Sequence, residues 1–542
     1  MRTLSEPLKT TFRVLAETAN EAAVGVLVPA LDSPYGTIRD SALSALLARR
    51  SPVGHREVIG RLHRFDRHAL SIVQDQPHRM TRALRDAVLS SQRQFCHNGC
   101  RAAVWLREYD LVPALLTALE DSSNPNADLA TAALSELVEL LYRELITSHG
   151  QGGGRDPRAV RRRVVSALEG SVGRFGRHKR REVLEAFAVL AKRDNAQLRH
   201  VLDDPHHAAF ITLVEVLAQS RAAGVIRLLL SFLDDPHAPS VVLSVLAKRT
   251  DLTLVRHLLR KVGPEPSSVV RRNLKRISAV GWIGQRVDVL DHLDEQAQQA
   301  AVALVMASAI PRQQAFAAIK HILLRGKPAG RRAAAQALEE FQGAAANDLA
   351  LRALGDTDPE VQANVLVQLR RRGIPGALSQ LIDRLDSPHE AVRAAIRESL
   401  EEFTFHRYVA AFDMLDEEIR RSTGLLVKRI DPETLPLLKQ ELNSRLRTRR
   451  LRALSIVQAI DAVDALEDEI IARLEDEDHM VRVRAAEALG RGTGPAGYEA
   501  LLRATEDRAV VVREAVQAAL ERRERPAAAG GAASAAGRED ER

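Results

Sequence analysis

Apolar residues along this 542-residue chain follow two superimposed periods. Over short stretches they recur every three or four positions, which places them on one stripe of a helix. Over longer distances the stripe itself recurs. "LDSPHEAVRAAIRESL" runs from Leu385 to Leu400, and "LEDEDHMVRVRAAEALG" from Leu474 to Gly490. Both place a Val seven residues after the opening Leu and another Leu eight further on: Val392 and Leu400, then Val481 and Leu489. The same frame holds Leu31, Ile38 and Leu46, and again Leu354, Val361 and Leu369. It also takes in Val262, Val269 and Ile277, and Leu202, Ala209 and Leu217. Val361 and Val392 stand 31 residues apart, as do Val481 and Val512.

Each unit reads as two helices around an acidic turn. "DSP", "DDP" and "DTDP" supply Asp, which caps the next helix by accepting backbone N–H bonds, and Pro, which a helix tolerates only near its start. The second helix then carries one apolar stripe, shown by Val392, Ile396 and Leu400 and by Val481, Ala485 and Leu489. A pair of helices this small cannot bury its stripe alone, so neighbouring pairs must stack into a solenoid. The expected fold class is all-α, an α-solenoid of stacked two-helix repeats.

The Asp-turn-Val-Arg-x-x-Ala pattern resembles HEAT repeats, in particular the short kind named after phycobilisome lyases. The resemblance covers roughly Leu27 to Leu520. It implies a ladder of Asp and Arg along the stack, whose members by position would be Asp32 with Arg39, Asp386 with Arg393, and Asp476 with Arg482. It also implies that second helices line the concave side. The expected organisation is residues 1–147 as N-terminal repeats, irregular between 55 and 100, then a Gly-rich loop and basic insert over 148–163. A repeat solenoid follows over 164–524, and a disordered tail over 525–542, where no large apolar residue occurs.

Composition narrows the class. Aromatics make up 4% of the chain and apolar residues 45%, which suits a helical chain that folds. Two cysteines, Cys96 and Cys100, fit a reducing compartment rather than a disulfide framework. The N-terminal stretch has no signal-peptide core, and the longest apolar run, Ala300 to Ile310, is too short to span a membrane. A cytoplasmic location is expected, with no membrane partner.

The candidate chemistry is sparse. Gly152, Gly153 and Gly154 lead into Arg155-Asp156-Pro157 rather than the Gly-Lys-Ser/Thr of a phosphate-binding loop. Cys96 and Cys100 are four apart and so share a helix face, but His55, His63 and His68 stand at no zinc-module spacing. "HMVRVRAAEALG" resembles a repeat of deoxyhypusine hydroxylase, whose iron-binding His-Glu pair follows Met-Val-Arg; here that slot holds Val483 and Arg484, neither of which ligates a metal. The sequence has no Gly-x-Ser-x-Gly elbow and no His-Glu-x-x-His. No enzyme activity, cofactor or metal is expected.

Charge is the stronger signal. Residues 151–200 hold 13 Lys and Arg against 5 Asp and Glu, whereas the whole chain carries a net +7. The basic character is therefore concentrated, and the candidate binding residues are Arg161, Arg162, Arg163, Arg174, Arg177, Lys179, Arg180 and Arg181. The competing account is a solvated helix face paired with the acidic stretch 101–150, which holds 3 basic and 8 acidic residues. The expected function is a non-enzymatic scaffold for a protein partner. The alternative is nucleic-acid binding through the basic residues around 155–181, weak and salt-sensitive.

Overall fold

The computed structural model describes residues 5–147, 156–284 and 287–535. Among these residues are 34 α-helices and eight short 3-10 turns, with no strand. The chain divides into two compact units, Met1–Gly330 and Arg331–Arg542.

In the first unit, the second helices Arg93–Trp105, Ala127–Thr147, Arg181–Leu190, Phe210–Gln219 and Ser240–Lys248 pack each on the next. The first helices Ala22–Ala30, Pro52–Arg61, Thr81–Val88, Val112–Glu120 and Pro157–Gly173 form a second row in the same order. In the second unit, Glu417–Ile430, Arg447–Ala459, His479–Leu489 and Val510–Ala535 are stacked in turn, each preceded by its own first helix. Each unit is thus an α-solenoid. Val392, Ile396, Leu400, Val481, Ala485 and Leu489 are all wholly buried, as their stripe requires. One repeat is shifted by a residue: Val269 is half-buried and Val270 is core, because Ser267 caps the helix by accepting from the Val270 N–H.

The stretch 55–100 is folded as short helices, among them Arg67–Gln74, which packs on Gly36–Arg49, and Thr81–Val88, which packs on Arg93–Trp105. Residues 148–155 of the Gly-rich loop lie outside the described residues. The basic segment after it is one helix, Pro157–Gly173, whose N-cap Asp156 accepts from the N–H groups of Arg158 and Ala159. It serves as the first helix of an ordinary pair. Of the tail, residues up to Ala535 continue the last helix and 536–542 lie outside the described residues. No single described helix is long and apolar enough to cross a membrane; Phe210–Gln219 with Ala223–Asp234 reaches that length only across a 108° bend.

The acidic turns divide their labour between two carboxylates. Asp358 and Asp478 are the N-caps, accepting from Glu360 N–H and from Met480 and Val481 N–H. The Asp two residues earlier folds the turn: Asp356 accepts from Asp358 N–H at 2.8 Å, Asp476 from Asp478 N–H at 3.0 Å. A cation one position past the repeat's anchor, which is Val in three of four cases and Arg449 in the other, then closes the turn from behind. Arg393, Arg450, Arg482 and Arg513 each donate to the carbonyl six residues back, those of Ser387, Ser444, Asp476 and Asp507. Where Gln362 replaces the Arg, its amide donates to the Asp356 carbonyl at 2.6 Å.

The ladder exists, but its pairing differs from the expected one. Arg482 holds Asp507 of the next repeat at 2.8 and 3.1 Å, and Arg450 holds Asp476 at 3.0 Å. Arg39 meets Asp66 rather than Asp32, which is held by Arg61 at 3.1 Å. Arg393 pairs with Glu390 on its own helix, and Asp386 with Arg429 at 2.7 Å. The cause is geometric. In Arg450 and Arg482 one nitrogen is taken by the carbonyl of its own turn, and the rest of the guanidinium fork extends along the stack to the next carboxylate.

Candidate binding surfaces

The eight basic residues singled out from the sequence sit around the pair Pro157–Gly173 and Arg181–Leu190. Five of them are engaged in holding the stack. Arg161 donates twice to the Leu190 carbonyl, at 2.8 and 2.6 Å, and burial followed by the nearby Arg227 lowers its pKa from the usual value. Arg227 closes the same helix end through the carbonyls of Val189 and Ala191, so two cations face the negative end of that helix dipole. Arg174 forks onto Glu120 at 3.0 and 2.8 Å, Arg180 donates to the Leu119 carbonyl at 2.9 Å, and Arg181 donates to Gln219 at 2.9 Å.

Arg163, more exposed, pairs with Asp110 at 2.8 Å. Asp110 and Glu120 both belong to the acidic stretch before the loop, so part of the charge is answered locally. Arg162, Arg177 and Lys179 are exposed and have no side-chain partner among the described residues. Lys179 stands in the left-handed region at φ 52°, ending the short helix Phe175–His178. What remains is a set of three free cations, smaller than the sequence count suggests.

Cys96 and Cys100 are both buried, with their sulfurs 4.0 Å apart. Their shared hydrogen bond, followed by burial, pushes the Cys100 thiol up. His63 Nδ1 accepts from the Asn98 amide at 3.0 Å, and burial holds His55 below the usual imidazole range. Among the described residues no group of three or more His, Cys, Asp or Glu is placed to hold a metal ion.

A second surface, missed by the charge count, lies in the second unit. Three successive second helices, Glu417–Ile430, Arg447–Ala459 and His479–Leu489, form a groove of about 460 Å3. Arg420, Arg447, Arg452 and Arg484 line it together with Asp413, and Phe412, Leu451 and Met480 give it an apolar part. The helices contribute in register. Thr448, Arg452 and Ser455 follow the spacing of one helix face, and Met480 and Arg484 stand at the matching positions one repeat later. Arg447 pairs with Asp478 at 2.7 Å, Arg484 with Glu487 at 2.8 Å and Arg452 with Asp413 at 3.8 Å. Arg420 donates to the Phe412 carbonyl at 2.7 Å and lies 4.8 Å from the centre of that ring.

Residues 316–401 match the family model for HEAT repeats. Those residues carry HEAT-type repeats. No curated protein matches it. A chain solved in work on a phosphorylation switch controlling the cadherin and beta-catenin interaction is similar at 13% identity and TM-score 0.30, over 92% of this chain and 99% of that one. Importin beta is similar at 12% identity and TM-score 0.23, over 96% and 70%. A Kap121p mutant gives 14% identity and TM-score 0.21, over 96% of this chain and 57% of that one.

Proposed function

We propose that this HEAT-type solenoid is a non-enzymatic protein-interaction scaffold. One observation carries the reading: in the second unit, successive second helices present Arg420, Arg452 and Arg484 at matching positions of a single groove, with the exposed Met480 beside them. A ladder and a core need only the inward stripe and the turn residues. Arg452, Arg484 and Met480 serve neither, and mixed Arg and Met surfaces are the composition of protein interfaces. A cytoplasmic setting belongs to the same proposal, and the free, buried Cys96 and Cys100 support it.

The alternative, nucleic-acid binding around 155–181, is favoured by the exposed Arg162, Arg177 and Lys179. Capture of the tagged full chain from native lysate, with and without nuclease, separates the two. Specific proteins retained after nuclease are the expected result. Retention that disappears with nuclease would refute the scaffold and promote the alternative.

A further inference from the structure

We propose that the groove across Glu417–Ile430, Arg447–Ala459 and His479–Leu489 is the docking site for an acidic segment of a partner protein carrying one large apolar side chain. The inference rests on the scaffold reading and names the partner's chemistry.

Charge is the first argument. Four arginines line the groove with one carboxylate, Asp413, while Asp478 and Glu487, outside the lining, pair with Arg447 and Arg484. In their present pairs Arg447, Arg484 and Arg452 retain 51%, 48% and 30% of their side-chain accessibility, and their partners Asp478, Glu487 and Asp413 retain 22%, 38% and 76%. The more exposed pairs, Arg484 with Glu487 and Arg452 with Asp413, hold weakly and exchange readily for an incoming carboxylate. Each guanidinium also has five N–H donors, so one surface partner leaves a fork free for bidentate recognition of Asp or Glu.

The apolar part is the second. Met480 is 36% exposed, and Met414, next to lining residue Asp413, is 91% exposed. Neither side chain supports the core in that position. Methionine adapts its shape to an incoming apolar group, which suits it to a receiving surface. The Phe412 ring lies beneath the Arg420 guanidinium, so that cation is held in place before anything binds.

The size and composition choose between occupants. About 460 Å3 is the volume of a small-ligand site, enough for a few side chains of a segment. Nucleic acid requires cations that follow a phosphate backbone, or exposed rings on which bases stack. Here the cations share the lining with Leu451 and Met480, and the one ring, Phe412, is buried and already covered by Arg420.

The test uses the full chain and fluorescence anisotropy. The probe is a short fluorescein-labelled peptide of Glu and Asp around a single Leu, with matched peptides in which Leu is Ser or the acids are Gln. Arg452→Glu with Arg484→Glu is expected to weaken the probe by about tenfold or more, as for central Arg contacts. Met480→Ser, and the probe lacking Leu, are each expected to lose about threefold to tenfold. Arg162→Glu with Lys179→Glu, in the other unit, should leave binding unchanged. All these positions are at least partly exposed, and unaltered thermal unfolding shows that the variants fold. An undiminished Kd in the groove pair overturns the proposal. So does equal loss in the control pair, or displacement of the probe by duplex DNA that depends on Arg452 and Arg484.

A photo-cross-linking residue at Ser455, in the groove, and another at Ile211, exposed on a second helix of the first unit, separate this inference from the scaffold reading. An acidic partner peptide joined at Ser455 supports the groove. Protein adducts at Ile211 alone overturn it and leave the scaffold standing, whereas no protein adduct at either position overturns both.

Discussion

Arg482→Met tests whether the ladder carries the stability of the last repeats. Arg482 is 3% exposed, and its guanidinium donates twice to the Asp507 carboxylate and once, at 2.8 Å, to the Asp476 carbonyl. Methionine keeps the packed stem and removes every donor. Asp507, whose side chain is 12% exposed, is left without its cation, and breaking such a pair from one side costs about 3–5 kcal/mol. Partial exposure places this case near the lower end, at about 3 kcal/mol, with about 1 kcal/mol more for the abandoned carbonyl. Because each repeat leans only on its neighbours, the loss should be local.

Native-state hydrogen exchange is the assay. Amides of His479–Leu489 and Pro495–Arg503 should exchange about a hundredfold faster or more, while Gly36–Arg49 should be unchanged. The double variant Arg482→Met with Asp507→Asn should recover most of the loss, since replacing both partners strands no charge. The pH dependence supplies an independent check. Burial pushes the Asp507 carboxyl up, but Arg482 and the Ala509 N–H outweigh it and hold the group below its usual range. A depressed folded pKa gives stability that is complete above the unfolded value of about 3.9 and is lost as pH falls through the folded one. The difference between wild type and Arg482→Met should therefore be large at neutral pH and shrink below about pH 4. A difference independent of pH, spread evenly over the chain, or unrelieved in the double variant would refute the reasoning.

Three further outcomes are expected. Val392→Asp, which puts an unpaired charge in a wholly buried site, should cost several kcal/mol, at least about 3, whereas exposed Glu398→Gln should be neutral; urea unfolding followed by circular dichroism compares them, and equal shifts would mean the helical phase is wrong. Gly424→Ala would bring a Cβ to 2.4 Å from the Tyr408 hydroxyl and 2.6 Å from Ile460 and should destabilise by about 1–2 kcal/mol, whereas Gly25→Ala, with nothing within 4 Å, should stabilise by about 0.5–1 kcal/mol; opposite shifts in Tm are the readout. Replacing Arg162, Arg177 and Lys179 together by Gln should abolish a weak, low-salt association with labelled duplex DNA that already fades near physiological salt; binding that survives physiological salt and is lost in the triple variant would favour the nucleic-acid alternative.

The repeat was legible because its signals are local. An apolar stripe and an acidic turn lie within one short window, and Val392, Ile396, Leu400, Val481, Ala485 and Leu489 are all core as that stripe demands. Partners across the stack were not legible, since no property of Arg482 alone tells it to reach Asp507 rather than Asp476. Which members of the basic window hold the stack was hidden for a related reason. A count of charges cannot see that Arg161 and Arg180 answer the carbonyls of Leu190 and Leu119, work that any stacked helix end requires. The same blindness hid the groove. Residues 451–500 hold 5 basic and 11 acidic residues, yet acids such as Glu475 to Asp478 occupy the turn, while Arg452 and Arg484 lie in the groove. Sorting charges by helical phase rather than by window places Thr448, Arg452 and Ser455 opposite Met480, Arg484 and Glu487. In a solenoid the binding surface is assembled from one position per repeat, so its chemistry is written at the repeat interval and averages away in any shorter run.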